Sequence, residues 1–271
     1  MAGPTRICAL GDLLLDVVVQ LGGPIAPHTD TYGRTRVGAG GQAANVAAWV
    51  AALGGRGRFV GKRADDPAGR LLAGEVERRG VELAGPVERS GTGTVVSLAT
   101  PDGRRAMLSD RGVGTSFAPA ELDTAWLEGC DHLHLPGYSL LRPPLSETAL
   151  AACALVSSVS VDVSSTAAVT EAGVQAFRDL LDRVRPSIVF ATEAEAELVG
   201  PFAAETVVVK RGERGCLVRR GGDEREYPAL AAVLADATGA GDAFAAGFLL
   251  AGPELGLEAA ARCVSQLGAM P

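Results

Sequence analysis

Segments typical of β-strands alternate with segments typical of α-helices along most of this 271-residue chain. The strand-like segments are short and rich in β-branched and other apolar residues, and the helix-like segments are rich in Ala or have apolar residues at helical spacing. Examples are residues 6–19, 131–137, 187–191 and 206–210 for strands, and residues 45–54 and 243–252 for helices. Strands that alternate with helices in this way usually pair in parallel. The pattern therefore predicts an α/β fold with a mostly parallel sheet.

Two segments break this alternation. Residues 22–41 are rich in Gly, Pro and Thr, which favours a loop or an irregular strand. Residues 92–109 predict a hairpin in which Asp102 and Gly103 form the turn between two strands. We expect the segments at about 14–38 and 92–109 to form a small β appendage together. The whole chain is expected to be a single domain, because no repeat, low-complexity linker or clean break divides it.

The composition excludes several classes of protein. A formal net charge of −7 disfavours non-specific binding to nucleic acid or to anionic membranes. Five widely spaced cysteines without a CxxC pair indicate reduced thiols. No uncharged apolar run reaches the ~18 residues of a membrane helix, and Asp12 and Asp16 interrupt the apolar N-terminal segment, which is unlike a signal peptide. We therefore expect a cytoplasmic protein without nucleic-acid or membrane partners.

A glycine-rich stretch near the C-terminus, DATGAGDAFAAG, places the carboxylate of Asp242 among glycines and alanines. Small residues let a ligand approach the backbone, and the unpaired N–H groups of a helix that starts at about Gly241 would attract a phosphate. Phosphate repels a neighbouring carboxylate, but a carboxylate there is useful as the base that takes a proton from an attacking hydroxyl group. The alternative is a turn in which Asp242 is an ordinary helix-start residue.

A second glycine-rich stretch, GAGGQA, occupies residues 38–43 and precedes the helix that we expect from Asn45. It fits the pattern GxGxxA formally, but the dinucleotide-binding fingerprint requires a buried strand before it, and no such strand is predicted. Its glycines would still allow a ligand to lie against the start of the helix. The sequence contains no GxxxxGK[ST] phosphate-binding loop.

Both stretches resemble the signatures of a known family. DATGAGDAFAAGFL resembles the C-terminal signature of the PfkB/ribokinase family of carbohydrate and nucleoside kinases, and GAGGQAANVAAWVAALGG resembles its N-terminal signature. FVGKRADDPAGRLL resembles the family stretch that follows, so the resemblance covers essentially the whole chain. It implies a ribokinase-like three-layer α/β/α sandwich with a small β-sheet lid. It also implies transfer of the γ-phosphoryl group of ATP, with Mg²⁺, to a sugar-type hydroxyl group.

The resemblance assigns the transfer chemistry to the C-terminal signature. Asp242 resembles the catalytic base. The backbone of Gly239, Ala240 and Gly241 resembles the anion hole that stabilises charge on the transferred phosphoryl group. We therefore expect an in-line transfer in which Mg²⁺ bridges the phosphates of ATP.

The resemblance assigns the acceptor sugar to the N-terminal half of the chain. Asp16, Gly40, Gly41 and Asn45 match family positions that bind sugar hydroxyl groups. Arg111, in the stretch DRGVG after the lid hairpin, is expected to approach the substrate or a phosphate. The alternatives are a turn residue for Asp16, a helix N-cap for Asn45 and a solvated side chain for Arg111.

The nucleotide is assigned to the stretch VVKRGERGC. Lys210, Gly212 and Gly215 match the region that lines the nucleotide, although many relatives have Thr in place of Lys210. Glu195 matches the Glu of an NxxE motif that organises Mg²⁺ through water, and Thr192 replaces the usual Asn. The alternatives are a solvated charge for Lys210 and a solvated acidic helix face for Glu195.

Asp236 and the carbonyl group of Thr238 match part of a monovalent-cation site, for which the resemblance implies K⁺. The other family ligands lie in a C-terminal segment, and this chain ends where relatives usually continue. Arg262 also lies where an Asn is common. These departures put the completeness of the cation site and of the adenine pocket in doubt.

The function that we expect from these residues is that of an ATP-dependent sugar kinase, similar to a ribokinase or a fructokinase. One alternative is a nucleoside kinase, which would stack the base on aromatic residues; only 4% of residues are aromatic, and the candidates are Tyr32, Phe117 and Tyr138. Another alternative is a catalytically weak relative that binds a sugar or a nucleotide as a sensor. Family members often pair through the lid, so a homodimer is implied as well.

Overall fold

The computed structural model describes residues 4–100 and 105–271, and its largest element is a mostly parallel sheet. In chain order, the strands of these ranges are β1 (Arg6–Leu10), β2 (Leu14–Leu21), β3 (Gly33–Gly40), β4 (Arg56–Val60), β5 (Arg63–Ala64), β6 (Glu82–Ala84), β7 (Val87–Glu88), β8 (Thr94–Ala99), β9 (Arg105–Asp110), β10 (His132–Pro136), β11 (Val159–Asp162), β12 (Ile188–Thr192), β13 (Thr206–Lys210), β14 (Cys216–Arg220) and β15 (Asp223–Tyr227). The large sheet has the strand order β15-β14-β13-β12-β11-β10-β1-β4-β6. All neighbours from β13 to β6 are parallel, and the hairpin of β14 and β15 adds two antiparallel strands at one edge.

Helices cover both faces of this sheet. The α-helices within the described residues are α1 (Gln42–Ala52), α2 (Pro67–Arg78), α3 (Leu145–Cys153), α4 (Thr166–Ala172), α5 (Val174–Val184), α6 (Glu193–Val199), α7 (Ala240–Ala251) and α8 (Pro253–Val264). Short 3-10 helices occur at Gly112–Ser116, Pro119–Glu121, Thr124–Leu127, Gly137–Leu140 and Gly212–Arg214. No helix in the described part of the chain is both long and apolar enough to cross a membrane.

Successive residues of β1 belong to two different cores, because the side chains of a strand alternate between the faces of its sheet. Ile7 and Ala9 pack in a core with residues of α1, α2, α7 and α8. Cys8 and Leu10 pack in a core with residues of α3, α4, α5 and α6. The structure is therefore a three-layer α/β/α sandwich, as the sequence predicts.

A second sheet of four strands, in the order β3-β2-β8-β9, is separate from the large one. β2 pairs antiparallel with β3 and parallel with β8, and β8 pairs antiparallel with β9. These strands come from the two segments that break the helix–strand alternation, although β3 continues to Gly40 and β9 to Asp110. The turn predicted at Asp102 and Gly103 lies outside the described residues. β5 and β7 pair in a further short sheet.

The first helix begins three residues earlier than the sequence suggests. α1 starts at Gln42, and Gly41 precedes it with a φ of 97°. The interpretation of Asn45 as a helix N-cap is therefore wrong, and Asn45 is a buried residue inside the helix. Glycine starts the helix here because its positive φ and lack of a side chain let the backbone pack against that of Asp12.

Four polar residues follow or end strands at one edge of the large sheet, and one of them, Lys210, is a predicted site residue. The carboxyl ends of parallel strands meet at this edge, and ligands of open α/β sheets bind there. Asp12 follows β1, Asp162 ends β11, Thr192 ends β12 and Lys210 ends β13. The fold thus brings residues from distant parts of the sequence to one place.

Candidate active site

Asp242 lies in the first turn of α7 and is 6% exposed. Nε2 of Gln42 donates to its Oδ1 at 3.2 Å, and Nδ2 of Asn45 donates to its Oδ2 at 2.7 Å. Gln42 and Asn45 are three residues apart, so they share one face of α1. The two glycine-rich stretches of the sequence therefore meet around a single carboxylate, which bonds to α1 rather than to the start of its own helix.

Burial raises the pKa of Asp242 to about 7, because a carboxylate loses hydration inside the protein. The hydrogen bond from Asn45 lowers this pKa, the negative charge of Asp162 raises it, and the positive charge of Lys210 lowers it. A carboxyl group with a pKa near neutrality can take up a proton and release it again at physiological pH. The interpretation of Asp242 as an ordinary helix-start residue does not account for this environment.

The N-terminus of α7 has little side-chain volume around it. Gly239 has a φ of 79°, and a Cβ on it would lie 2.5 Å from the Cβ of Ala269. Gly241 faces Lys210, since a Cβ on Gly241 would lie 3.3 Å from Nζ. Backbone N–H groups at a helix start and a neighbouring ammonium group are both attractive to anions. This arrangement suits a phosphate or a phosphoryl group.

Lys210 forms a buried ion pair with Asp162, in which Nζ lies 2.5 Å from Oδ2. The side chains are 16% and 2% exposed, so the interpretation of Lys210 as a solvated charge is wrong. Burial has the largest effect and lowers the pKa of Lys210. The charge of Asp162 and its hydrogen bond, together with the charges of Glu195 and Asp242, outweigh burial, so the pKa is raised. Lys210 is therefore held in its charged form beside α7.

Asp16 lies within β2, so its interpretation as a turn residue is wrong. A side chain on Gly40 would overlap the carboxylate of Asp16, so a larger residue at this position would displace that carboxylate. Burial, together with repulsion by Asp12 and Asp236, raises the pKa of Asp16 to about 6. A cleft between the four-stranded sheet and the loop before α7 is lined by Asp16 and Thr238, among other residues. Asp16 thus borders this cleft, and its carboxylate packs against Gly40.

Arg111 lies in the same region because it contacts Asp12. It forms an ion pair with Asp12, and its guanidinium group lies 3.5 Å from the centre of the Tyr138 ring. The Arg111 side chain is 23% exposed and held on two sides, so its interpretation as a solvated surface residue is wrong. Gly41 packs against the backbone of Asp12, which places this pair beside the start of α1.

Three buried side-chain oxygens near the start of α1 lack a hydrogen-bond partner within the described residues. They are Oδ1 of Asp12, Oε1 of Gln42 and Oδ1 of Asn45. Buried polar atoms are normally paired, and leaving one unpaired costs about 1–3 kcal/mol. All three are acceptors, so a ligand rich in hydroxyl donors would satisfy them.

Glu195 and Thr192 cap the start of α6 reciprocally. The backbone N–H of Thr192 donates to Oε2 of Glu195 at 2.7 Å, and the backbone N–H of Glu195 donates to Oγ1 of Thr192 at 3.3 Å. Glu195 is 5% exposed, so its interpretation as part of a solvated acidic face is wrong. Its negative charge raises the pKa of Lys210, the residue that faces Gly241 at the start of α7.

Asp236 and Thr238 form a tight loop before α7. The backbone N–H and Oγ1 of Thr238 donate to Oδ1 of Asp236 at 2.9 and 2.7 Å, and the N–H of Gly268 donates to Oδ2 at 3.2 Å. Because these donors face the carboxylate, the loop alone does not form an oxygen cage for K⁺. Within the described residues, no group of three or more His, Cys, Asp or Glu side chains could hold a metal ion.

Gly212 and Gly215 lie in the turn that follows Lys210 and leads into β14. They have φ values of 60° and 85°, a region that favours glycine. The N–H of Arg211 donates to the carbonyl oxygen of Gly215 at 2.8 Å and closes the turn. The turn lies at the carboxyl end of β13, next to the Lys210–Asp162 pair.

Sequence reasoning missed Asp12, Gln42 and Asp162 as site residues. Asp162 ends an apolar strand, and Asp12 follows one, so both carried the signal of an acid at the carboxyl end of a strand. Gln42 was missed because the helix was expected to begin at Asn45. The pairing of Asp162 with Lys210 carried no sequence signal, since the two residues are 48 positions apart.

Comparisons with known proteins agree with the resemblance. A family model described as pfkB family carbohydrate kinase matches residues 4–270. The chain is similar to the ATP-dependent ribose-1-phosphate kinase of Halopiger xanaduensis, with 31% identity over 251 residues, 90% of this chain and 83% of that protein.

Solved structures share the fold. A probable sugar kinase from Rhizobium etli has a TM-score of 0.88 and 22% identity, and the match covers 100% of this chain and 96% of that one. A putative ribokinase II from E. coli, solved in complex with ATP and Mg²⁺, has a TM-score of 0.81 and 20% identity, with 98% and 94% covered. At these identities the likeness concerns the fold, which is ribokinase-like.

Proposed function

The chain belongs to the pfkB family of carbohydrate kinases, and from this premise we propose that it transfers the γ-phosphoryl group of ATP to a hydroxyl group of a small, uncharged sugar. It is a phosphotransferase that acts on a hydroxyl group of a carbohydrate. We propose in addition that the sugar is uncharged, and we propose the role of each residue and the identity of the ions.

The observation that carries the proposal is the set of unpaired buried acceptors on Asp12, Gln42 and Asn45. A sugar offers several hydroxyl donors within a few ångströms of one another, which is what three neighbouring acceptors require. Asp12 and Asp16 add negative charge to this wall, and Arg111 is already paired with Asp12. The charge on the wall therefore favours an uncharged acceptor over a sugar phosphate.

The transfer would take place at the start of α7, between the side chain of Asp242 and the backbone N–H groups of the residues before it. Asp242 takes the proton of the acceptor hydroxyl group while that oxygen attacks the γ-phosphorus atom. The backbone N–H groups at Gly239, Ala240 and Gly241 stabilise the charge on the transferred group. The pKa of Asp242, about 7, suits a base that must be ionised before the step and protonated after it.

The nucleotide would lie along the loops that follow β12 and β13. Lys210, Gly212 and Gly215 line its phosphates, and Glu195 would hold Mg²⁺ through water. The donor set fits this role, because Mg²⁺ usually keeps several waters and uses one or two carboxylates with the substrate phosphates. Bound Mg²⁺ would neutralise charge on the phosphates. A monovalent cation at Asp236 and Thr238 remains a prediction, tested by comparing the rate in K⁺ with that in Na⁺.

A nucleoside acceptor is less well supported by the aromatic residues. Phe117 is fully buried in the core, and Tyr32 is 86% exposed, away from any partner that would enclose a base. The ring of Tyr138 is covered by the guanidinium group of Arg111. Phe117 thus offers no ring face to a base, Tyr32 is too exposed to enclose one, and Arg111 occupies one face of Tyr138, so a sugar is favoured over a nucleoside.

A homodimer through the four-stranded sheet is proposed as well, with that sheet as a lid over the acceptor. Val37, Met107 and Leu108 of β3 and β9 are more than half exposed and apolar, and both strands are edges of the sheet. Cytoplasmic location is proposed because all five cysteines are free thiols. A monomer mass in light scattering at micromolar concentration would contradict the dimer.

The experiment that tests the function measures ADP release with Mg²⁺-ATP and K⁺ over a panel of sugars, sugar phosphates and nucleosides. The Asp242→Asn variant is the control. We expect one uncharged sugar to give turnover that depends on Asp242. Turnover with only a sugar phosphate or a nucleoside would refute the acceptor class, and ATP binding without turnover across the panel would favour the sensor, as the departures at Thr192 and Arg262 suggest.

A further inference from the structure

Lys210 lies between the carboxylate of Asp162 and the start of α7, and its ammonium group can pair with an anion at either position. Its Nζ is 2.5 Å from Oδ2 of Asp162, and a Cβ on Gly241 would lie 3.3 Å from the same nitrogen. A phosphoryl oxygen bound at the start of α7 would therefore lie within reach of the ammonium group. On the basis of the proposed function, we propose that Lys210 exchanges partners: Asp162 holds its ammonium group before ATP binds, and the ammonium group then passes to the phosphoryl group.

Asp162 is a positioning residue in this exchange, and its own position is fixed. The N–H of Ser164 donates to Oδ1 of Asp162 at 3.1 Å, and the hydroxyl of Ser164 donates to the Asp162 carbonyl oxygen at 3.1 Å. The N–H of Gly137 donates to the same hydroxyl at 2.8 Å. The lysine side chain, in contrast, is a flexible four-carbon stem with three rotatable donors. Movement of Lys210 against a fixed Asp162 is therefore the expected direction of change.

In this exchange the ammonium group of Lys210 has a negatively charged partner both before and after ATP binds. A buried ammonium group without a partner would lose its proton, and Asp162 keeps Lys210 charged while no phosphate is present. A phosphoryl group carries more negative charge than a carboxylate and accepts strong charge-assisted hydrogen bonds, so it competes well for Lys210. Asp162 also opposes the binding of ATP, because its negative charge repels the incoming phosphate.

The exchange also acts on Asp242. The groups that face Asp242 are Gln42 and Asn45 of α1, Lys210 of β13, Asp162 of β11 and, from α8, the thiol of Cys263. When Lys210 turns to the phosphoryl group, the carboxylate of Asp162 is left with less compensation. A more negative surrounding favours the protonated form of Asp242, which is the form that it reaches when it accepts the hydroxyl proton.

A double-mutant cycle separates this exchange from a purely structural ion pair. The measurement is calorimetric binding of a non-hydrolysable ATP analogue with Mg²⁺ to the wild type, Asp162→Asn, Lys210→Met and the double variant. If Lys210 reaches the phosphate, Lys210→Met weakens binding by about tenfold or more even when residue 162 is Asn. If Lys210 only neutralises Asp162, the substitution of Lys210 changes nothing in that background, and the proposal is wrong.

The decisive comparison is Asp162→Asn against the double variant. Neither protein has an unpaired buried carboxylate at position 162, and Lys210 of Asp162→Asn can release its proton, so both proteins are expected to fold. Arg219→Met of β14, which removes a surface cation, is the matched control and leaves binding unchanged. The binding measurement needs no acceptor. A failure to find a sugar substrate would therefore count against the proposed function and not against the exchange.

The pH dependence of kcat/KM supplies a second readout of the coupling to Asp242, because Asp162 and Lys210 act on the pKa of Asp242 with opposite signs. Asp162→Asn removes a negative charge near Asp242, and the acid limb is expected to shift to lower pH. Lys210→Met removes a positive charge, and the acid limb is expected to shift to higher pH. Shifts in the same direction, or no shift for Asp162→Asn, would overturn the proposal.

Discussion

Replacing Asn45 by Leu removes the 2.7 Å hydrogen bond that Nδ2 donates to Oδ2 of Asp242. A hydrogen bond to a charged group contributes about 1.5–3 kcal/mol, and one pKa unit corresponds to about 1.4 kcal/mol. The bond stabilises the ionised carboxylate, so its loss raises the pKa of Asp242. From the present value of about 7, we expect a rise of about 1–2 units. Leu has a similar size and also removes the unpaired Oδ1 of Asn45, so the fold should tolerate it.

The assay is the pH profile of kcat/KM for the acceptor sugar, which reports the ionisation of the free enzyme. The midpoint of the acid limb is expected to move from about 7 to about 8–9. At pH 7 this shift lowers kcat/KM by roughly 5- to 50-fold, and this part of the loss is recovered at high pH. The lost contact between Oδ1 of Asn45 and the acceptor adds a loss that does not depend on pH. Gln42→Leu is the matched control, because its hydrogen bond to Asp242 is longer, at 3.2 Å, and we expect a smaller shift.

An equal loss of kcat/KM at every pH would refute this reasoning. Such a result would mean that Asn45 contacts the acceptor without tuning Asp242. A shift for Gln42→Leu as large as that for Asn45→Leu would also contradict it, because the shorter bond is expected to dominate.

Asp242→Asn should lower kcat by ~10²–10⁴-fold, as for the loss of a general base; a near-normal kcat would remove Asp242 from the mechanism. The same variant should melt a few degrees higher at pH 8 but not at pH 4, as scanning calorimetry would show. The raised pKa of Asp242 makes its ionisation destabilising as the pH rises from about 4 to about 7. Gly40→Ala should displace Asp16 and raise the KM for the sugar by ~10-fold or more, with little change in the KM for ATP. Glu195→Gln keeps a capping residue for α6, so its melting temperature should not change. The Mg²⁺ concentration that gives the half-maximal rate should rise by ~10-fold. An unchanged Mg²⁺ requirement would argue against Glu195 as the residue that holds Mg²⁺.

The parts of the site that sequence predicted well are those coded by local patterns. Gly239, Gly40 and Gly41 were found because a chain that must turn tightly or admit a ligand at its backbone uses glycine. Glu195 was found because it lies in a short stretch that resembles the NxxE motif of the family, in which Thr192 replaces Asn. Asp242 was found because it lies among glycines and alanines at the expected start of a helix.

The parts that were wrong or missed depend on partners that are distant in the sequence. Arg, Lys and Glu are residue types that usually lie at the protein surface. Only the fold shows that Arg111, Lys210 and Glu195 are largely buried. The start of α1 was misplaced because Gly41 is fixed by its packing against Asp12, which lies far away in the chain. Charge and helix preference cannot report such contacts.

The sequence by itself determined the α/β class, the family resemblance and the identity of the carboxylate at the start of α7, because these follow from periodicity and from short, contiguous motifs. The tertiary structure alone decided the chemical state of the site. It placed Gln42 and Asn45 on the carboxylate of Asp242 and set Lys210 against Asp162. The pKa and the pairing of a charge depend on burial and on neighbours a few ångströms away, and only folding brings those neighbours together.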